Sequence, residues 1–322
     1  LTFGEDWGWG ASKEVSQQLF ELYANAGGNF IDTAVNYTNG TAEKYVGDFI
    51  TSDRAHFVVA TKYTLSTRSG DPNASGNHRK NMMQSAEKSL TRLKTDYIDI
   101  YWLHAWDGLT PVEEIMRAFD DLVRAGKVLY IGISDTPAWV VSQANMLADL
   151  RGWSCFVALQ TRYSLADRAA ERDLLPMARA LDLAITPWSV LSAGLLTGKY
   201  NSGDAAQGRA TTWQSIPDKP KQIAETVMAV AQDAGCTPSQ VALNWVRQQP
   251  GVIIPLLGAT KVAQLQDNLN CLNHTLSPEH LERLNTASAI ELGFPHDFLA
   301  GDNIRNIVFS GQYEQIDKHR PG

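Results

Sequence analysis

Short, unbroken apolar runs alternate along this chain with longer amphipathic stretches. The runs cover residues 29–32, 57–62, 98–104, 128–134, 156–160, 184–188 and 252–257. Each is continuous rather than alternating, the pattern of strands buried on both faces of a parallel sheet. Helical periodicity fills the gaps, over 12–26, 41–50, 79–93, 111–125, 137–148, 171–181, 220–234, 238–249, 261–269 and 277–287. Thr110-Pro111, Thr136-Pro137, Thr237-Pro238 and Ser277-Pro278 each place a capping hydroxyl before a first-turn proline. Gly27-Gly28 and Gly126 supply stops.

Seven strand–helix units result, and Leu1-Thr2-Phe3 supplies the tail of an eighth strand at the front. Eight such units predict an α/β fold, a (β/α)8 TIM barrel. At 322 residues, the chain suits one barrel, and no linker or repeat divides it. The expectation is a single domain over 1–322, with most of the first strand absent. An open doubly wound sheet is the alternative, but no Gly-x-Gly-x-x-Gly follows a first strand. The polar stretch 201–219 predicts a mobile surface loop.

The ends of the runs carry the chemistry. In order they are Asp32, Lys62, His104, Ser134-Asp135, Gln160, Trp188 and Gly258, with Tyr37 in the loop after the first. Barrel active sites lie at the C-terminal ends of strands, so these groups converge. An ammonium at Lys62 would lower the pKa of a nearby Tyr37 phenol. Asp32 would hold the lysine and offset its burial, and His104 would orient a substrate oxygen. Taken singly, Asp32 also reads as a loop cap and Lys62 as a solvated strand end. Their recurrence at successive strand ends favours a proton-handling site, hence an enzyme.

Net charge is −7 with a pI near 5.5, and no long basic run is present, which argues against nucleic-acid binding. Cys155, Cys236 and Cys271 are scattered, fitting three free thiols in a cytoplasmic setting. His104 lacks a second ligand at zinc-site spacing, so no metal is expected. No apolar run has membrane-spanning length and no signal peptide is visible.

Phe-Ile-Asp-Thr-Ala-x-x-Tyr, with Thr61-Lys62 and Leu103-His104, resembles the catalytic segments of the aldo-keto reductase family. The similarity extends through Gly132-Ile133-Ser134-Asp135, Leu159-Gln160, Pro187-Trp188-Ser189 and Gly194 to Lys199. It ends in the segment from Pro255 to Leu269, and so covers essentially the whole chain. The resemblance implies NADPH-dependent reduction of an aldehyde or ketone, reversible toward the alcohol. In it Asp32, Tyr37, Lys62 and His104 form the catalytic set. Ser134, Asp135 and Gln160 would bind the nicotinamide carboxamide, and Trp188 would stack on the ring. Ser189, Leu191, Gly194 and Lys199 would wrap the pyrophosphate. Gly258, Thr260, Lys261, Gln264, Asp267 and Asn268 would serve the adenosine phosphate.

The chain departs from the family pattern in four places. Asp135 stands where asparagine is usual, and Trp188 where many members have tyrosine. Lys261 is the nearest cation where NADP-specific members carry arginine, which leaves NADH as a second candidate cofactor. The family's N-terminal hairpin and most of its first strand have no counterpart here, and further residues are expected before Leu1.

Trp7, Trp9, Trp102, Trp106 and Trp213 suggest an aromatic substrate rim, with Trp7 and Trp106 nearest the chemistry, while Trp102 reads equally as a wall residue between barrel and helix. Asn77-His78-Arg79-Lys80 reads as a solvated turn opening a helix. The expected partner is a small carbonyl or alcohol, with no membrane or nucleic acid, and homo-oligomer formation is left open. Two other readings stand beside the reductase. One is a cofactor-binding regulatory subunit of the potassium-channel β type, which resembles the same family. The other is a hydrolase pairing Asp32 with Asp135.

Overall fold

A computed structural model describes residues 1–198 and 218–317. Six parallel strands pair in chain order: β1 (Phe30–Asp32), β2 (Val58–Tyr63), β3 (Ile98–Leu103), β4 (Val128–Ser134), β5 (Phe156–Arg162) and β6 (Ala184–Trp188). The register places Lys62 beside Trp102, Trp102 beside Gly132, and Ser134 beside Gln160. Even-numbered residues therefore share one face. On that face Ala60, Trp102 and Ala158 pack with Phe30, Ile100 and Ala184. Odd-numbered residues such as Tyr101, Ile131, Leu159 and Ile185 join the helices in the large apolar core.

The even-numbered face is concave. Asp32 of β1 and Gln160 of β5 are four strands apart in the sheet, roughly 19 Å if it were flat. Their side chains nevertheless meet at 3.1 Å. Only a strongly curled sheet brings them together, and that curl gathers the strand-end residues on one inner wall.

The seventh run forms no named strand. Val252 O accepts from Ile185 N, Ile254 N donates to Ile185 O, and Leu256 N donates to Pro187 O. The chain thus runs alongside β6, but Pro187 of β6 has no N–H to donate back to it, so the ladder is incomplete. Phe3 makes one bridge, to Ala11, and Thr2 lies beside Gly258. Six paired strands and this extended segment are described, against the eight expected.

Helices α1 (Lys13–Asn25), α2 (Thr41–Ile50), α3 (Arg79–Leu93), α4 (Val112–Arg124), α5 (Ala138–Arg151) and α6 (Leu174–Ala180) follow the predicted periodicity. So do α7 (Asp218–Ala234), α8 (Pro238–Arg247), α9 (Val262–Leu269) and α10 (Pro278–Ser288). Helix α1 packs against both α2 and α9. Thr237 and Ser277 cap α8 and α10 as expected, Thr237 in a reciprocal box with Gln240. Thr110 and Thr136 do not cap their helices. Their hydroxyls donate instead to Asp107 Oδ2 and Ser134 O, which ties each loop down. Two further short helices, α11 (His296–Ala300) and α12 (Asp302–Val308), escaped the sequence reading. The predicted loop over 201–219 lies outside the described residues except at its last two positions, which begin α7.

Candidate active site

Lys62 ends up on the inner wall because its even position in β2 faces inward, and it is fully buried. Its ammonium donates to Asp32 Oδ2 in a short contact, to Thr33 O at 2.9 Å and to Tyr37 Oη at 3.4 Å. His104 follows β3 on the same face, with Nε2 3.5 Å from Tyr37 Oη. All four residues expected to be catalytic are therefore in one contact chain. Asp32 has a second partner that the sequence reading missed: Gln160 Nε2 donates to its other oxygen.

Burial opposes the charge on Lys62, yet the neighbouring Asp32 and Tyr37 prevail and hold its pKa above the ordinary value. The fully buried ammonium keeps its charge because Asp32 lies against it. Tyr37 departs from expectation. Burial raises its pKa, and the opposing attraction of Lys62 does not overcome this, partly because Asp32 and Asp135 add negative charge nearby. The resting phenol is thus a protonated donor. Burial, with help from Lys62, drives His104 down to about 2, so it is a neutral imidazole that can polarise an oxygen without carrying charge.

The loop bearing Tyr37 is anchored from outside the sheet. Arg92 of α3 donates to Val35 O at 2.7 Å and to the buried Glu43, which also accepts from Thr61 Oγ1. Gly40 has φ +94, and a Cβ there would lie 2.3 Å from the Arg92 guanidinium, so only glycine allows this approach. Glu43 was legible in retrospect, since it lies on the buried Ala42–Val46–Ile50 stripe of α2.

His104 is anchored by Asn77, which is fully buried rather than part of a solvated turn. Asn77 Nδ2 donates to Thr64 Oγ1 and Ala105 O, and its Oδ1 accepts from Asp107 N. Thr64 Oγ1 in turn accepts from His104 N.

Around this centre, Ser134 Oγ is buried with no hydrogen-bond partner among the described residues. Asp135 Oδ1 accepts from Trp188 Nε1 at 3.1 Å. After β6, Ser189, Ser192, Ala193 and Gly194 all have positive φ, flanking Leu191 in a tight turn. Gly258 and Thr260 precede α9, with the exposed Lys261 at its N-cap. Gln264 accepts from Thr260 N. The Asp267 carboxylate is committed to Thr237 and Gln240 at the start of α8, and Asn268 is buried. Lys199 and Trp213 lie outside the described residues.

Of the aromatic residues, Trp7 stands edge-on to Tyr37, with ring centroids 6.4 Å apart. Trp9 adjoins Trp7, and Trp106 is partly buried against the core. Trp102 is not part of a rim. It fills the concave face, fully buried against Gly132.

A charged lysine held by an aspartate behind a protonated phenol, next to a neutral imidazole, can deliver one proton to a polarised oxygen. No helix among the described residues is long and apolar enough to cross a membrane. Comparison with known proteins agrees with this chemistry. A probable aryl-alcohol dehydrogenase, AAD4, of Saccharomyces cerevisiae is 35% identical over 90% of this chain and 93% of its own length. An aryl-alcohol dehydrogenase [NADP(+)] of Phanerodontia chrysosporium is 35% identical over 98% of this chain and 88% of its own. A norsolorinic acid reductase of Aspergillus flavus is 35% identical over 93% and 79% respectively. The model of the Aldo/keto reductase family matches residues 1–289, and the chain belongs to that family.

Proposed function

We propose that this protein reduces aromatic aldehydes or ketones to alcohols, reversibly, with NADPH as its preferred cofactor and Tyr37 as the proton donor. The observation that carries the reading is the unbroken contact chain from Asp32 through Lys62 and Tyr37 to His104. The residues present fit a nicotinamide. Ser134 Oγ is a buried polar atom in need of a partner, as a carboxamide would supply. Gln160 keeps its carbonyl and second amide hydrogen for the same group while one hydrogen bonds Asp32. The left-handed turn at Ser192–Gly194 has the backbone geometry from which anion-binding concavities are built, and Lys261 adds a cation. A bound reduced nicotinamide would supply the hydride for the carbonyl carbon.

His104 and Tyr37 then bind the substrate oxygen, His104 as a neutral donor. Tyr37 gives up its proton as negative charge develops there, and Lys62 stabilises the phenolate left behind. Asp32 keeps Lys62 in place. Trp7 and Trp106 offer aromatic walls, and two of the relatives are named for aryl alcohols. The NADP in one relative's name supports the cofactor preference. A single-domain (β/α)8 barrel is part of this reading, supported by the curled sheet and by α1 lying against α9.

The test is absorbance at the reduced-nicotinamide band with benzaldehyde, using NADPH and then NADH. Faster consumption of NADPH is expected. Binding of either cofactor without turnover of any carbonyl in a broad panel would replace this reading with the regulatory one.

A further inference from the structure

We propose that Asp135, acting through the indole of Trp188, makes the nicotinamide site favour the oxidised, positively charged form of the cofactor. This rests on the nicotinamide reading above. Asp135 follows β4 with φ +39, an unusual conformation for a residue other than glycine. Two backbone bonds fix it, Asp135 N to Gln160 O and Trp106 N to Asp135 O, each 3.3 Å. The carboxylate is thereby set on the edge of the indole, and Trp188 Nε1 donates to Oδ1 at 3.1 Å. The two departures from the family pattern noted in the sequence are thus one physical pair.

The consequence is electrostatic. An indole face attracts cations through its quadrupole. A hydrogen bond to an ionised acceptor is charge-assisted and puts full negative charge at the ring edge. A nicotinamide stacked on this ring is a cation when oxidised and neutral when reduced, so the pair stabilises the oxidised form selectively. Arg162 opposes this, with its guanidinium carbon 5.7 Å from the Trp188 ring centroid. Its charge, however, is matched by Asp167, whose carboxylate accepts from Arg162 Nε at 2.7 Å. Burial prevails and raises the pKa of Asp135 above the ordinary carboxylate value, while the indole N–H, Arg162 and Lys62 limit that rise by favouring the ionised form.

Asp135→Asn isolates the charge, because an amide oxygen still accepts from the indole. Trp188→Phe keeps an aromatic face and removes the N–H. The experiment is calorimetric titration of the full chain with NADP+ and with NADPH, read as the ratio of their dissociation constants. Asp135→Asn is expected to raise the NADP+/NADPH ratio of Kd values roughly three- to tenfold. Trp188→Phe should raise it as well, and Asp135→Asn should add little in that background. An unchanged ratio in either single variant, or a full Asp135→Asn effect in the Trp188→Phe background, overturns the proposal. If neither nucleotide binds the unaltered protein, the nicotinamide reading falls and this inference with it. If both bind and the ratio does not respond, only the inference falls.

Discussion

Gln160 donates to Asp32 at 3.1 Å across the concave face of the sheet, although four strand steps separate the two residues. This bond completes the coordination of the carboxylate that holds Lys62. Gln160→Leu would leave one Asp32 oxygen facing apolar surface. The loss of a hydrogen bond to a buried charged group costs about 1.5–3 kcal/mol. The expected outcome is a lowered urea midpoint and a reduced turnover rate. Stability equal to that of the unaltered protein would mean that the bond contributes nothing to holding Asp32.

Tyr37→Phe removes the proton donor and leaves the ring that packs edge-on to Trp7. Carbonyl reduction should fall by roughly two to four orders of magnitude, while NADPH affinity stays within about threefold. Single-turnover kinetics and a binding titration measure the two effects separately. Comparable turnover in the two proteins would assign the proton to another group.

His104 makes stability depend on pH. It is held neutral, with its pKa pushed down to about 2, whereas the unfolded side chain titrates near ~6.5. Between those values the unfolded chain binds more protons, so stability rises with pH up to about 6.5 and is lost as pH falls below it. At pH 5.5 the loss from this residue is about 1.4 kcal/mol. His104→Gln should flatten the change in urea midpoint between pH 7.5 and 5.5. Equal slopes for the two proteins would show that His104 is protonated in the folded state as readily as in the unfolded one.

Residues at strand ends were legible in the sequence because a buried apolar run ending on an ionisable group is itself informative. Asp32, Lys62 and His104 announced themselves in that way. What remained hidden depends on curvature and on side-chain pairing. Nothing local in Leu159-Gln160 indicates that Gln160 reaches β1, because that contact exists only once the sheet curls. Asp135 and Trp188 are 53 positions apart and looked like two separate substitutions until the indole N–H was seen to meet the carboxylate. Asn77 was misread because its neighbours His78, Arg79 and Lys80 are polar, while its own partners lie in the next loop. The seventh run pairs with β6 only in part, since Pro187 of β6 has no N–H to return a bond to it.

Gly132 tests whether Trp102 is a packing element of the concave face. Trp102 is fully buried, and a Cβ placed on Gly132 would lie 2.3 Å from its ring. The backbone at Gly132 is not in the left-handed region, so alanine is sterically excluded by the indole and not by its own conformation. The indole cannot retreat without disturbing Ala60 and Ala158, which share its cluster. It lies two residues before His104, so its displacement would also move the imidazole. Gly132→Ala should therefore destabilise the fold by about 1–3 kcal/mol, as overpacking does, and slow turnover. The double variant Gly132→Ala with Trp102→Phe, which returns volume to the same place, should regain part of the stability. If the second substitution instead adds its own full cost, as independent sites do, the tight contact between the two residues is not what makes glycine necessary in β4.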